Sequence, residues 1–443
     1  MKIKEITFIS SIFLILSCVN DDNENIAVDV NYTESNLPII SINTFGVNIP
    51  DEPRIEAHMG IINNNSGTNN ISDVFNDYDG KITIEKRGNS SQDQEKPPYR
   101  FETVDNSGEN NNVQLLGLPE ENDWILYAPW SDKSLIRNIL IYSLSNEMGR
   151  YAPRSKLVEL YLNNEYRGVY VLMEKIKRDK NRVPISSLDP NENTGDDVTG
   201  GYILKFDWAE TGDNNGGFYS LVDGMRYNYH YPKPDEISSQ QVNYIESFIN
   251  NFENIMNSNN YNSEEGYSKL VDVGSFIDFI ILQEISRNVD AYGLSTYIYK
   301  DKESINNKLI AGPIWDFNHG FGNCDYFKAW ETEGWNISYI YDDMDQRAFW
   351  WLKLWNDENF INMVKDRYED LRGSVLSINN INSKIDEFVS ELGNSVDKNF
   401  TKWPILGEYV WPNYQVFDSH QEEIVYLKSW INNRLNWMDS ELN

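Results

Sequence analysis

Polar and apolar residues alternate over Lys81-Ile82-Thr83-Ile84-Glu85, the period of a half-buried strand. That strand delivers Arg87-Gly88-Asn89-Ser90-Ser91 at its end. Residues 157–162 and 168–173 flank Asn163-Asn164-Glu165 and predict a hairpin. Residues 37–43 form a short apolar run with Pro38 near its start, which suits an edge strand. The Asn-, Ser-, Asp- and Gly-rich stretch 63–80 reads as a loop, and 201–206 as a further strand after a double glycine. One strong helix interrupts these strands. Asp132 is its expected N-cap, Leu135, Ile136, Ile139, Leu140 and Leu144 recur at helical spacing, and Gly149 is a suitable C′ residue.

Past Phe206 the pattern turns helical. Val242, Ile245, Phe248, Ile249, Phe252, Ile255 and Met256 form an amphipathic stripe. Ser275 is placed to cap a second helix running through Phe276, Phe279, Ile280, Leu282 and Ile285 to the neighbourhood of Asn288-Val289-Asp290. A hairpin then spans 295–299 and 309–315 around a polar turn at 303–307. From 345 to 442 the chain reads as mostly helical, with breaks near Pro404 and Pro412. No Pro- or Gly/Ser-rich linker divides the chain after residue 36 and no internal repeat is evident. The expectation is one α+β body of two lobes, 37–206 rich in strands and 207–443 mostly helical.

The first residues change the picture of where the chain works. Lys2 and Lys4 precede an apolar run from Ile6 to Leu16, and Ser17-Cys18 follows. That is a signal-peptide pattern, too short for a bilayer-spanning helix of about 20 residues. Ile15-Leu16-Ser17-Cys18 resembles a bacterial lipobox, so residues 1–17 are expected to be removed and Cys18 lipidated, with 18–36 as a polar tether. The acidic Asn20-Asp21-Asp22 and Glu24 resemble surface-export signals of Gram-negative lipoproteins. The expected place is therefore a lipid anchor in the cell envelope, at the outer membrane or cell surface.

A net charge of −31 argues against nucleic acid, whose binding rests on Lys and Arg neutralising phosphates. Apolar content of 40% and aromatic content of 13% suffice for a large core. With Cys18 lipidated, Cys324 has no intramolecular disulfide partner. Two cysteines and four scattered histidines (His58, His230, His319, His420) do not make a zinc site.

The candidate chemistry lies in Ile314-Trp315-Asp316-Phe317-Asn318-His319-Gly320-Phe321-Gly322-Asn323. Asp316 and Asn318 offer hard oxygen donors of the kind Mg²⁺, Mn²⁺ and Ca²⁺ prefer. Asp290 stands before the hairpin and Asp316 at its end, so the two strands should return them to one mouth. Two carboxylates there repel unless a cation lies between them. A divalent metal with a phosphate substrate accounts for the pair, and helix, Asp, hairpin, Asp is also the order of a protein kinase catalytic lobe.

At this point the chain resembles the kinase-like family named after spore coat protein H, CotH, over residues 37–440. The resemblance rests on 37–44, Arg87-Gly88-Asn89-Ser90-Ser91, Lys96-Pro97-Pro98-Tyr99-Arg100-Phe101, Trp124-Ile125-Leu126-Tyr127, 132–138, Tyr166-Arg167-Gly168-Val169-Tyr170 with Glu174, Gly200-Gly201-Tyr202-Ile203-Leu204, Asn288-Val289-Asp290-Ala291, Ser295-Thr296-Tyr297 and Pro313-Ile314-Trp315-Asp316-Phe317, in that order. It implies a two-lobed atypical protein-kinase-like fold, with Asp290 as catalytic-loop acid and Asp316 as Mg²⁺ ligand. ATP is the implied nucleotide, with Mn²⁺ able to replace Mg²⁺, and Ser/Thr of exported or surface proteins the implied acceptor. Asn318 stands where many members carry a second Asp, which predicts a less anionic metal shell. Neither a Walker loop nor a Gly-x-Gly-x-x-Gly loop is present. Arg87 and Lys96 are therefore the expected phosphate contacts, with Glu174 orienting Lys96. Lys205 replaces an acid common after the Gly-Gly-Tyr segment.

Two other readings compete. A kinase-like scaffold could serve as a non-catalytic surface adhesin or assembly factor, with Trp330, Trp335, Trp350, Trp351, Trp355, Trp403 and Trp411 lining a binding face. Paired carboxylates could instead hydrolyse a polysaccharide.

Overall fold

The computed structural model of the chain describes residues 32–89, 91–208, 216–339 and 347–442. The expected signal peptide, Cys18 and most of the expected tether lie outside the described residues.

Seven strands close into a barrel: β1 (Ile39–Asn43), β2 (Ile55–Ile62), β3 (Tyr78–Lys86), β4 (Tyr99–Val104), β5 (Asp123–Tyr127), β6 (Ser155–Leu162) and β7 (Glu165–Glu174). Their order is β6-β7-β5-β4-β3-β2-β1. Isoleucines at 40, 42, 61, 82 and 84 fill the interior with Trp124. The β6–β7 turn places Asn163 and Asn164 at φ of 52° and 65°, the left-handed pair that a tight hairpin requires. β1 is not an edge strand. It pairs antiparallel with β2 and parallel with β6, where Leu160 faces Ile40. Pro38 lies just outside the strand, so its missing N–H costs no ladder bond, and its carbonyl accepts from Glu159 N–H.

A second, antiparallel sheet contains β8 (Tyr202–Phe206), β9 (Gly217–Tyr219), β10 (Arg226–Tyr231), β11 (Thr296–Lys300) and β12 (Leu309–Ala311), in the order β9-β10-β8-β11-β12. β8 is thus the centre of a sheet whose other strands come from the second span of the chain. β12 stops at Ala311, short of the expected 315, because Pro313 lacks an N–H and Gly312 turns the chain at φ 112°.

Helix α1 (Arg137–Glu147) begins later than its sequence pattern, since Leu135 sits at φ 66°. The expected cap, Asp132, is not at the N-cap position: Ile136 stands there with no side-chain cap bond, and Asp132 lies further back, its Oδ2 accepting the N–H of the first helical residue, Arg137, at 2.9 Å. Helix α2 (Ser239–Asn257) opens with a capping box formed by Ser238 and Gln241. Helix α3 (Val273–Ser286) is capped by Asp272, not Ser275: the Asp272 carboxylate accepts the Ser275 N–H at 2.7 Å. Ser275 instead turns its hydroxyl to bond the Asp272 carbonyl oxygen and accept the Ala311 N–H. Helices Phe349–Trp355, Glu358–Arg372, Ile378–Leu392, Ser395–Lys402 and His420–Leu442 complete the C-terminal part. One apolar cluster runs from barrel residues such as Leu157 and Val169 through α1 and α3 to Leu427. The fold is therefore mixed α/β, strand-rich first and helical after. Among the described residues no helix is long and apolar enough to cross a membrane.

The tryptophans are mostly core. Trp350 and Trp351 are fully buried against Phe276, and of the seven proposed for a binding face only Trp411, at 58% exposed, stands out into solvent.

Candidate active site

The loop after β12 carries Asp316 in the left-handed region, at φ 64°. Two side chains of α1 hold it there. The Tyr142 hydroxyl oxygen accepts the Asp316 N–H at 3.1 Å, and Asn138 Oδ1 accepts the Phe317 N–H at 2.7 Å. Residues four apart on a helix share a face, so one stretch of α1 grips two successive backbone groups. The Ser295 hydroxyl reaches Asp316 Oδ2 at 3.4 Å.

Asp290 follows α3 after a left-handed Arg287 at φ 46°. Its N–H points to Asn288 Oδ1 at 3.4 Å, and the Asn288 carbonyl accepts from Asn336 Nδ2 at 2.7 Å. Burial pushes the Asp290 carboxyl up to about 7, and the nearby charges of Asp316 and Asp207 push the same way against Arg347. Burial likewise raises Asp316, which Arg87 pulls down and Asp207 pushes up. The hairpin β11–β12 therefore brings Asp290 and Asp316 into one electrostatic site.

Three members of that site come from elsewhere in the chain. Asp207 follows β8 directly, and its Oδ2 pairs with Lys205 Nζ at 3.3 Å, which gives Lys205 a role. Arg87 lies with its guanidinium 5.2 Å over the Trp315 ring. No side-chain hydrogen bond or ion pair of Arg87 occurs among the described residues, so its donors remain available. Arg347 sits on the Asp290 side. Tyr142 and Tyr297 wall the acids, and burial with the neighbouring carboxylates raises both hydroxyls. His319 is bonded to the Tyr326 hydroxyl at 3.3 Å, and burial drops its pKa to about 4, so it is neutral at ordinary pH. The Cys324 thiol is buried and pushed far up.

Lys96 and Glu174 are not brought together, which corrects their expected pairing. Lys96 is fully buried over the Tyr170 ring and donates to Asn399 Oδ1 at 2.9 Å. Burial and the neighbouring Arg167 drive its amine well below the ordinary lysine range. Glu174 takes a bidentate bond from Arg154, at 2.7 and 2.9 Å, and has Arg182 beside it. A carboxylate already held by a planar guanidinium fork has no need of a distant ammonium.

No group of three or more His, Cys, Asp or Glu side chains that could hold a metal occurs among the described residues. The donors that do converge are carboxylates, with the half-buried Asn318 two residues beyond Asp316. That is the partial oxygen shell expected of Mg²⁺, which usually takes one or two carboxylates and completes its octahedron with water and phosphate.

Asp207, Arg347 and Tyr142 carried no motif, and Asn138 stood only as the last residue of the 132–138 segment, with no role assigned to it. The spacing of four between Asn138 and Tyr142 was the available signal.

The whole is an α/β protein with a half-buried acid pair, one member held by a helix, and an arginine near each acid. Residues 84–438, most of the chain, match the family of CotH kinase proteins, and the chain belongs to that family. No curated protein matches the sequence.

Proposed function

We propose that this chain is an atypical protein kinase of two kinase-like lobes that transfers the γ-phosphoryl group of ATP to Ser or Thr of exported or surface proteins. The observation that carries this reading is the electrostatic coupling of the half-buried Asp290 and Asp316, with Arg87 acting on Asp316. Asp316 and Asn318 would hold Mg²⁺, and bound Mg²⁺·ATP supplies the phosphoryl group with its charge partly screened. Asp290, once ionised, accepts the proton of the acceptor hydroxyl and orients that oxygen for attack. Arg87 presents a planar fork to phosphate oxygens, and the Trp315 ring fixes its plane. Tyr142, Asn138 and Ser295 hold Asp316 in place. Phosphate contact falls to Arg87 rather than Lys96, whose amine is turned to Asn399. In this account Cys18 carries a lipid anchor and the domain faces the cell envelope, outer membrane or surface.

Exposed Trp411 and Tyr409, at 58% and 55%, favour a second reading as a surface adhesin or assembly scaffold. Phosphate transfer to an added protein acceptor, measured with wild type and Asp290→Asn, separates the two. Transfer that depends on Asp290 supports the kinase, and binding without transfer supports the scaffold.

A further inference from the structure

The Asp290 side of the site is held by a buried frame that the acid-pair reading does not use. Glu284, on α3, is fully buried and accepts four hydrogen bonds. Its Oε1 takes the Tyr292 hydroxyl at 2.7 Å and the Ile337 N–H at 2.8 Å. Its Oε2 takes the Asn336 N–H at 2.8 Å and Arg434 Nη2 at 3.0 Å. Arg434, from the last helix, also bonds the carbonyl oxygens of Thr332 and Gly334. A buried carboxylate so fully paired defines one geometry for everything attached to it.

Two attachments lead to the site. Asn336 Nδ2 bonds the Asn288 carbonyl, two residues before Asp290. Tyr292, two residues after Asp290, stands at φ 72°, a strained conformation for an aromatic residue that the bond to Glu284 helps to hold. Asp290 is therefore pinned from both flanks. The same two residues also fix a cation. Arg347 donates from Nη1 to the Asn336 carbonyl at 2.9 Å and lies 5.5 Å over the Tyr292 ring. Each acid of the pair thus has an arginine stacked on an aromatic neighbour: Arg87 on Trp315 beside Asp316, and Arg347 on Tyr292 beside Asp290.

We propose that Arg347 is a second phosphoryl-stabilising arginine of this site, set in position beside Asp290 by Glu284 through Tyr292 and Asn336. The proposal rests on the kinase reading above. Arg suits the task because its guanidinium stays charged at any working pH while one of its nitrogens is held by the Asn336 carbonyl. A cation that acts on charge developing during transfer changes kcat more than ATP binding. The Asp290 carboxyl feels the charge of Arg347 from its side of the site, which agrees with this placement.

The test measures phosphate transfer from Mg²⁺·ATP by the full chain as wild type, Arg347→Ala, Arg347→Lys and Tyr292→Phe, with thermal unfolding of each. Arg347→Ala is expected to lower kcat by about 100-fold or more while the KM for ATP moves less than about threefold and the unfolding midpoint holds. Arg347→Lys recovers only part of the loss, because an ammonium lacks the fork. Tyr292→Phe keeps the ring, cuts the link to Glu284, and lowers kcat by about tenfold. A kcat for Arg347→Ala within about threefold of wild type, or one that falls only in step with the midpoint, overturns the proposal and leaves the kinase reading intact. Wild type without any transfer overturns both.

Discussion

Asp316 donates its backbone N–H to the hydroxyl oxygen of Tyr142 at 3.1 Å, across 174 residues of chain. The bond holds a non-glycine residue at φ 64°, where an L side chain gains nothing by itself. Tyr142→Phe should therefore cost about 1 kcal/mol of stability, and Asn138→Ala about the same or more, since it strands the buried Phe317 N–H. Both should lower phosphate transfer by loosening Asp316. Urea unfolding and transfer rates check this together, and two variants that match wild type in both would contradict the grip of α1 on the loop.

A raised carboxyl makes stability depend on pH in a set direction. With Asp290 at about 7 against an ordinary 3.8, the folded chain keeps a proton that the unfolded chain loses between those values. Stability is thus undiminished below about pH 4, falls as pH rises to about 7, and stays at the lower level beyond. Every tenfold difference in proton affinity between the folded and unfolded chain is worth about 1.4 kcal/mol. Asp290→Asn, which removes the charge and keeps the shape, should unfold at a higher temperature than wild type at pH 8 in the absence of metal. The gap should close by pH 4. Calorimetry at the two pH values decides, and a gap of constant size would remove Asp290 as its source.

Lys96→Met should leave the KM for ATP unchanged and shift the unfolding temperature little. Met matches the length of the stem and can keep a contact with the Tyr170 ring, so the buried amine gives up its bond to Asn399 and its charge over that ring. Glu174→Gln should be worse, about 2 kcal/mol or more, because it takes the charged partner from the bidentate Arg154, while the buried Arg182 keeps Glu121 at 3.4 Å. A tenfold rise in KM for Lys96→Met, on the order of 1.4 kcal/mol of lost binding, would return that lysine to the phosphate site.

Asn318→Asp adds a second anionic oxygen donor two residues from Asp316. Mg²⁺ titration followed by thermal shift should give tighter binding in the variant than in wild type. Equal affinities would mean that position 318 lies outside the metal shell.

Local features of the fold were legible where the physics is local. Asn163-Asn164 announced its hairpin because two consecutive left-handed residues are what such a turn needs. The N-cap expected at Asp132 was displaced, because Leu135 turns left-handed and the helix begins only at Arg137, with Ile136 at the cap position. The place of β1 inside the barrel was not legible, because the barrel closes only through its pairing with β6, some 120 residues further on, which no local pattern shows. The cap of α3 moved from Ser275 to Asp272 because both residues suit the position and the bond to Ala311 claims the serine hydroxyl. For the site, Asp290 and Asp316 could be proposed from one hairpin. Asp207, Arg347 and Tyr142 could not, since each reaches the acids from a strand end, a later loop or a helix whose position only the folded chain defines. Lys96 and Glu174 were paired by analogy, while burial and the fork of Arg154 decide their actual partners.

The most direct test of the central claim is nucleotide-dependent thermal stabilisation and phosphate transfer by residues 37–443 with Mg²⁺·ATP, compared with Asp316→Asn and Asp290→Asn. The account predicts stabilisation in wild type that is lost in Asp316→Asn, together with transfer that is lost in Asp290→Asn while nucleotide still binds. Absence of any nucleotide effect in wild type at any metal concentration would contradict it and leave a kinase-like scaffold.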